Sequence, residues 1–174
     1  MRRLRFFATT VLLLALVGCE DELLPAGDQS APPPPRQGVQ AFVQVDNESA
    51  APGQEVRIWV KVQLGTDAEV SLASYTGRLH FDPTTLTFSR DVQVEDGLRV
   101  VNSNQAGTGE VRFAGAAAGG FTDLTLYEGV FVVKKANYLP SLTIEMEELS
   151  GADLTDLQPD LQVSPTVFLR RAGS

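Results

Sequence analysis

From Val39 onward, apolar residues recur at alternate positions, the pattern of strands with one buried face. In VQAFVQVD, Val39, Ala41, Val43 and Val45 share a side. APGQ (Ala51 to Gln54) makes a turn, and EVRIWVKVQL then sets Val56, Ile58, Val60, Val62 and Leu64 against Arg57, Lys61 and Gln63. ASYTGRLHFDP points Tyr75, Leu79 and Phe81 inward and Ser74, Thr76, Arg78 and His80 outward, and Asp82-Pro83 ends it. Shorter strands are predicted from Leu86 to Phe88 and from Leu98 to Val101, then one through Val111, Phe113 and Gly115. DLTLYEGVFVVKK is apolar on both faces, which predicts a central position or a bulge near Gly129. SLTIEMEEL buries Leu142, Ile144 and Met146. LQVSPTVFL closes the pattern, with Pro165 marking an edge strand or a bulge. No long run has helical spacing. About nine short strands with Gly and Pro turns predict an all-β antiparallel sandwich over residues 39–170.

The first 38 residues follow other rules. Residues 1–18 start with Arg2, Arg3 and Arg5 and continue with an apolar run, Phe6 to Val17, interrupted by Thr9 and Thr10. That layout predicts a secretory signal peptide. As a helix at ~1.5 Å per residue the run spans roughly 18 Å, short of a hydrocarbon core of ~30 Å. It ends at Leu16-Val17-Gly18-Cys19, and Cys19 is the single cysteine. These four residues resemble the lipobox of bacterial lipoproteins. The resemblance implies that the Cys19 thiol carries a diacylglyceryl group, that the chain is cut before Cys19, and that membrane lipid is a partner. One acyl chain holds only marginally, whereas two or three on one residue hold lastingly. The expected location is extracytoplasmic, anchored to a bacterial membrane. Residues 19–38 then form the lipidated cysteine and a disordered, Pro-rich tether. Pro32 to Pro35 favour extended polyproline II, and residues 20–38 reach at most roughly 60 Å at ~3.3 Å per residue.

Charge narrows the partners. The chain has 14 basic and 22 acidic residues, and its three N-terminal arginines sit in the signal segment. Taking those three away leaves 11 against 22, a net −11 on the remainder. Such a surface repels phosphate backbones, so nucleic acid is not expected as a partner. With one cysteine no intramolecular disulfide forms, and apolar burial must hold the core.

Three stretches together resemble a cohesin-type domain: APGQEVRIWVKVQL, YTGRLHFDPTTLTF and GGFTDLTLYEGVFVV. The most specific part is Tyr-x-Gly-x-Leu-x-Phe-Asp-Pro-x-x-Leu-x-Phe from Tyr75 to Phe88, and the likeness spans about residues 39–150. It implies a jelly-roll β-sandwich, close to carbohydrate-binding modules. It also implies recognition of dockerin modules of polysaccharide-degrading complexes through one sheet face. It assigns no contact residues here.

Candidate chemistry is sparse. Phe42 lies between Gln40 and Gln44, and Trp59 lies between Arg57 and Lys61, each opposite the valine face. Phe42, Trp59, Arg57 and Lys61 are therefore the candidate binding surface: exposed aromatics on a flat sheet stack sugar rings or are buried by protein partners. The alternative is that the two rings meet each other or are covered by the tether or the last strand. Tyr127 and Phe131 raise the same question. His80 is the only histidine, and with no second histidine or spare thiol a zinc site is not expected. GADLTDLQPD offers Asp153, Asp156 and Asp160, but its spacing is not that of an EF-hand loop and reads as a solvated acidic loop. GAAAGG lacks the lysine and strand-to-helix setting of a phosphate loop. Glu145, Glu147 and Glu148 evoke a glycosidase pair, yet alternate acids also mark a wet sheet face. No cofactor or metal is expected. The expected function is a membrane-anchored, non-catalytic module binding a carbohydrate or a dockerin-like protein. The second reading is a structural or assembly lipoprotein that docks onto another envelope protein.

Overall fold

The computed structural model describes residues 31–170. The expected signal peptide and Cys19 lie outside the described residues. Nine strands are present: β1 (Val39–Val45), β2 (Glu55–Leu64), β3 (Leu72–His80), β4 (Leu86–Asp91), β5 (Leu98–Asn102), β6 (Glu110–Ala116), β7 (Thr125–Val133), β8 (Thr143–Gly151) and β9 (Leu161–Leu169). They form a five-stranded sheet, β4-β7-β2-β1-β9, and a four-stranded sheet, β5-β6-β3-β8. Three single-turn 3-10 helices are the only helical elements among the described residues.

The alternation does what period two requires. Val39, Ala41, Val43, Val45, Val56, Ile58, Val60 and Val62 are all buried on the inner face of the five-stranded sheet. Tyr75, Leu79, Val111, Phe113, Ile144 and Met146 face them from the other sheet. Each side chain of this kind, fully buried, contributes ~1.5–3 kcal/mol. Aromatic rings fill the middle of the core: Phe113 stacks on Tyr127 at 5.5 Å, and Phe81 and Phe88 meet Phe131 edge-on at 5.1 and 5.5 Å. Tyr127 and Phe131 are thus core residues.

Two features differ from the expected pattern. The first is strand direction: β1 and β9 pair in parallel, whereas every other ladder is antiparallel. Alternation reports which face a residue occupies and not which way its neighbour runs, so sequence spacing could not reveal this. Pro165 sits where the β1–β9 register slips, between the Ala41–Val163 and Val43–Val167 pairs, on an edge strand. The missing N–H of proline therefore breaks no ladder. The second is β7, which does lie between two strands but is irregular near Leu126, where Val60 pairs with Tyr127 and Lys61 with Thr125. Gly129 serves packing instead: a Cβ there would stand 2.1 Å from the Tyr127 hydroxyl.

The tether ends on the domain and not before it. The Pro35 carbonyl accepts from the Thr66 amide at 3.0 Å, Arg36 from Asp67 at 3.1 Å, and Gly38 from Gly65 at 2.8 Å. Pro32 is buried. The last part of the Pro-rich segment is thus strapped to the β2–β3 loop. From Pro32 onward the expected tether is therefore packed onto the domain.

Candidate functional site: the open face of the four-stranded sheet

The sandwich has two outer faces, and they are finished differently. On the five-stranded sheet, register places Gln44 between Trp59 of β2 and Phe168 of β9, and places Phe42 opposite Lys61. The edge of Phe168 closes on Phe42 at 5.6 Å, and the Arg170 guanidinium lies 4.5 Å from the Trp59 ring centroid. Phe42 is 1% exposed and Trp59 4%. Of the residues read as a binding surface, the two aromatics are therefore covered by the last strand and offer no free ring face. Arg57 stays exposed and pairs with Glu128 at 3.1 Å. Lys61 is half-buried and has no ion pair among the described residues. No open platform of aromatics is left here because the Phe168 and Arg170 side chains cover it, brought in by a long-range pairing that local alternation cannot show.

Replacing Arg170 with alanine is expected to uncover Trp59. Its fluorescence should shift to the red, and stability should fall by only ~0.5–1 kcal/mol, the worth of an exposed cation–π contact. An emission spectrum unchanged by R170A would show that something other than the guanidinium shields the indole.

The four-stranded sheet has no such cover among the described residues. Across it run four cross-strand rows. Ser150, Ser74, Ala116 and Leu98 form one, and Glu148, Thr76, Ala114 and Val100 the next. Then come Glu145, Arg78, Arg112 and Asn102, and finally Thr143, His80 and Glu110. One half of the face is thus small and apolar, and the other is charged. Leu98 is 70% exposed and Val100 59%, the two large apolar residues of an edge strand turned to solvent. With Thr76, Ala114 and Ala116 they line a shallow hollow of ~240 Å³. Exposed apolar side chains grouped beside charged ones mark interaction surfaces more than singly scattered ones do.

Below the platform the core ties the strands together. Tyr75 points inward from β3 and crosses over Gly115, where a Cβ would stand 2.5 Å from its ring. Its hydroxyl donates to the Leu126 carbonyl at 2.8 Å and accepts from Arg99 at 2.9 Å. Burial pushes the Tyr75 phenol up, against the opposing pull of Arg99. Arg99, on β5, is inward-facing and nearly buried. It also donates to the carbonyls of Asp96, Thr125 and Asp123, and its guanidinium covers the Phe121 ring at 4.7 Å. This single side chain ties the edge strand to the loop before β7.

On the charged half, Glu147 accepts from both Arg78 and Arg112. The Arg78 hydrogen bond, then that of Arg112, holds its carboxyl below the usual carboxylate range. A glycosidase acid needs the opposite, a carboxyl kept protonated. Glu147 is thus held as an anion by Arg78 and Arg112. His80 stands between Glu110, 3.9 Å from Nδ1, and Glu145, 3.5 Å from Nε2, as a surface residue of this network. Arg78, Arg112 and four glutamates leave the face acid-rich.

The acidic loop is satisfied from within. Asp153 accepts from the Thr155 amide at 3.0 Å and hydroxyl at 2.8 Å, which lowers its pKa, and Asp156 accepts from the Gln158 amide. Among the described residues no three Asp, Glu, His or Cys side chains are grouped to hold a metal ion. The same turn carries Leu154 at φ +68 and 89% exposed. GAAAGG finishes β6 and turns at Gly120, as a strand end does. Sequence reasoning missed Leu98 and Val100. In LRVVN both phases hold apolar residues, and only the destination of Arg99 decides which one faces water.

No protein-family model matches the sequence, and no curated protein does. Solved structures do. The sixth cohesin of Acetivibrio cellulolyticus scaffoldin B, solved with a mutant Cel5 dockerin, superposes at TM-score 0.55 and 15% identity, covering 75% of this chain and 99% of that one. The fold is that of a cohesin module. A cohesin module from a Clostridium perfringens family 33 glycoside hydrolase gives TM-score 0.56 at 15% identity, over 78% and 99% of the two chains. The cohesin CaCohA2 of Clostridium acetobutylicum gives 0.53 at 16%, over 80% and 94%. At such identities the likeness is one of fold, and it carries no residue roles.

Proposed function

We propose that this chain is a non-catalytic recognition module of the cohesin kind. It holds a dockerin-like protein module outside a bacterial membrane, in the service of polysaccharide breakdown, and is anchored through lipid on Cys19. The observation that carries the docking reading is the uncovered, half-apolar face of β5, β6, β3 and β8, on a fold whose relatives include cohesins solved in complex with dockerins. The complementary partner carries an apolar stripe for Ala114, Ala116, Val100 and Leu98. Beside it stand basic groups for Glu145 and Glu148. Carbohydrate, the other ligand class expected from the sequence, finds no open aromatic platform on the opposite face.

The test is capture. Purified full-length chain, immobilised, is exposed to dockerin modules encoded in the source genome and separately to solubilised envelope proteins. Saturable binding of one dockerin supports the reading. Binding of a single envelope protein and no dockerin would move the chain to the assembly class. The anchor is tested apart from this: C19A is expected to move the protein from the membrane fraction to the soluble one, and intact mass should lose the acyl chains. If wild-type protein carries a free thiol, the lipid reading fails while the docking reading stands.

A further inference from the structure

The two sheets end in four edge strands, β4 and β9 on one, β5 and β8 on the other. A bare edge offers unpaired amides and carbonyls to any strand that comes alongside, and proteins blunt it with charge, proline, bulges or cover. Three of these edges are blunted. β4 carries Arg90 and Asp91 and slips register between Phe88 and Arg90. β9 carries Pro165 at its own slip. β8 carries three glutamates, and the chain after it folds back beside it. There Gly151 donates to the Thr155 carbonyl at 2.8 Å, Leu157 to the Leu149 carbonyl at 2.9 Å, and the Gln158 side chain to the Met146 carbonyl at 2.7 Å.

β5 has none of these devices. Its sequence, LRVVN, holds no acid, lysine, proline or glycine, and its ladder with β6 runs without a slip. Its one charge, Arg99, is turned inward and bonded there. Among the described residues, no backbone hydrogen bond reaches residues 98–102 except through that ladder. The chain leaving β4 does not close on this edge either, because a gap of ~150 Å³ lined by Val92, Val94, Val100 and Val101 remains beside it. Of the four large apolar side chains exposed among the described residues, Leu98 and Val100 both belong to β5.

We propose that β5 is a pairing edge for a second copy of this chain, joining two four-stranded sheets antiparallel into one. A two-fold axis at Val100 sets Val100 against its own counterpart, Leu98 against Asn102 and Arg99 against Val101. No like charges then meet across the junction, and the β8 glutamates lie at the far edge of each sheet. An identical chain is the fitting occupant because it brings the same neutral, unblunted edge. Pairing β5 with any other edge meets charge, a proline or a covered side, so the contact closes at two copies and does not propagate. It uses the backbone edge and not the outer face of the sheet, and does not rest on the docking reading. A five-residue strand pair makes a small interface, which places the Kd on the order of 100 μM.

The experiment uses the full-length chain carrying C19S, which removes the single native thiol. Sedimentation equilibrium at rising concentration is expected to show monomer and dimer. Added salt should strengthen the association, because it screens the repulsion between two acidic chains. V100K changes a side chain that already faces water and sets two ammonium groups opposite each other. It should weaken the dimer at least about tenfold and leave the denaturation midpoint unchanged. Under mild oxidation V100C should cross-link to a dimer, since its two sulfurs meet at the axis. L154C, at a still more exposed residue, should not. The proposal is overturned if the chain stays monomeric up to about ten times the expected Kd. It is equally overturned if V100K dimerises as its parent does, if salt weakens the association, if L154C cross-links as readily as V100C, or if the species formed exceed two copies.

Discussion

Replacing Arg99 with methionine is expected to cost about 3 kcal/mol of folding stability, because breaking a nearly buried, multiply bonded ion removes partners that water cannot replace. The arginine donates to three carbonyls and to Tyr75, and roofs two rings. Methionine keeps the bulk and none of the donors. The control is R112M: Arg112 is about half exposed and pairs with Glu147 at 3.0 Å, so its loss should cost at most ~1 kcal/mol. Chemical denaturation of both variants measures the difference. Equal midpoints would mean that Arg99 is not what fixes the β5 edge. The same staple gives an acid dependence. Asp96 accepts from the Asp123 amide and from the amide and hydroxyl of Thr122, and these bonds, with Arg99 nearby, lower its pKa. A lowered folded-state pKa adds stability above the unfolded value, and that contribution disappears as pH falls through the folded value. D96N should therefore flatten the stability curve on the acid side below pH ~4, where the unfolded carboxyl titrates.

How much of this was readable beforehand follows from what each pattern encodes. Inward residues such as Val56, Ile58, Tyr75 and Leu79 were legible because a strand buried on one face must alternate. The two sheets, the parallel β1–β9 pair and the strap at Pro35 were not, because they depend on which distant strand arrives beside which. The same gap explains the binding surface. Phe42 and Trp59 stand on the outward side, as their spacing says, but Phe168 and Arg170 come from the far end of the chain to cover them. On β5 the difficulty was local: Leu98 and Val100 share one phase, Arg99 and Val101 the other, and an arginine is normally assigned to water. Its hydrogen bonds inside the sandwich reverse that choice and turn two apolar residues outward.

The two outer faces thus divide the labour of the fold. On the five-stranded sheet the Phe168 and Arg170 side chains cover Phe42 and Trp59. The four-stranded sheet, on the other side of the core, is free to meet a large partner.

Introducing arginine at Ala114 is expected to lower affinity for a docked protein module at least a hundredfold, about 2.8 kcal/mol at 1.4 kcal/mol per decade. Ala114 lies between Thr76 and Val100 in the apolar half, where small side chains let a partner's backbone come close. A long cation there both props the surfaces apart and buries an unpaired charge, the most costly error at an interface centre. The site faces solvent in the free protein, so stability should move by no more than ~0.5 kcal/mol. W59A makes the reverse test on the opposite sheet. It empties a covered site and should cost ~3 kcal/mol in stability while leaving protein docking unchanged. Calorimetric titration of the captured partner against wild type, A114R and W59A gives the three affinities. If A114R binds as wild type does while W59A loses binding, the docking face is the five-stranded sheet and the Phe168 and Arg170 side chains must move aside to expose it.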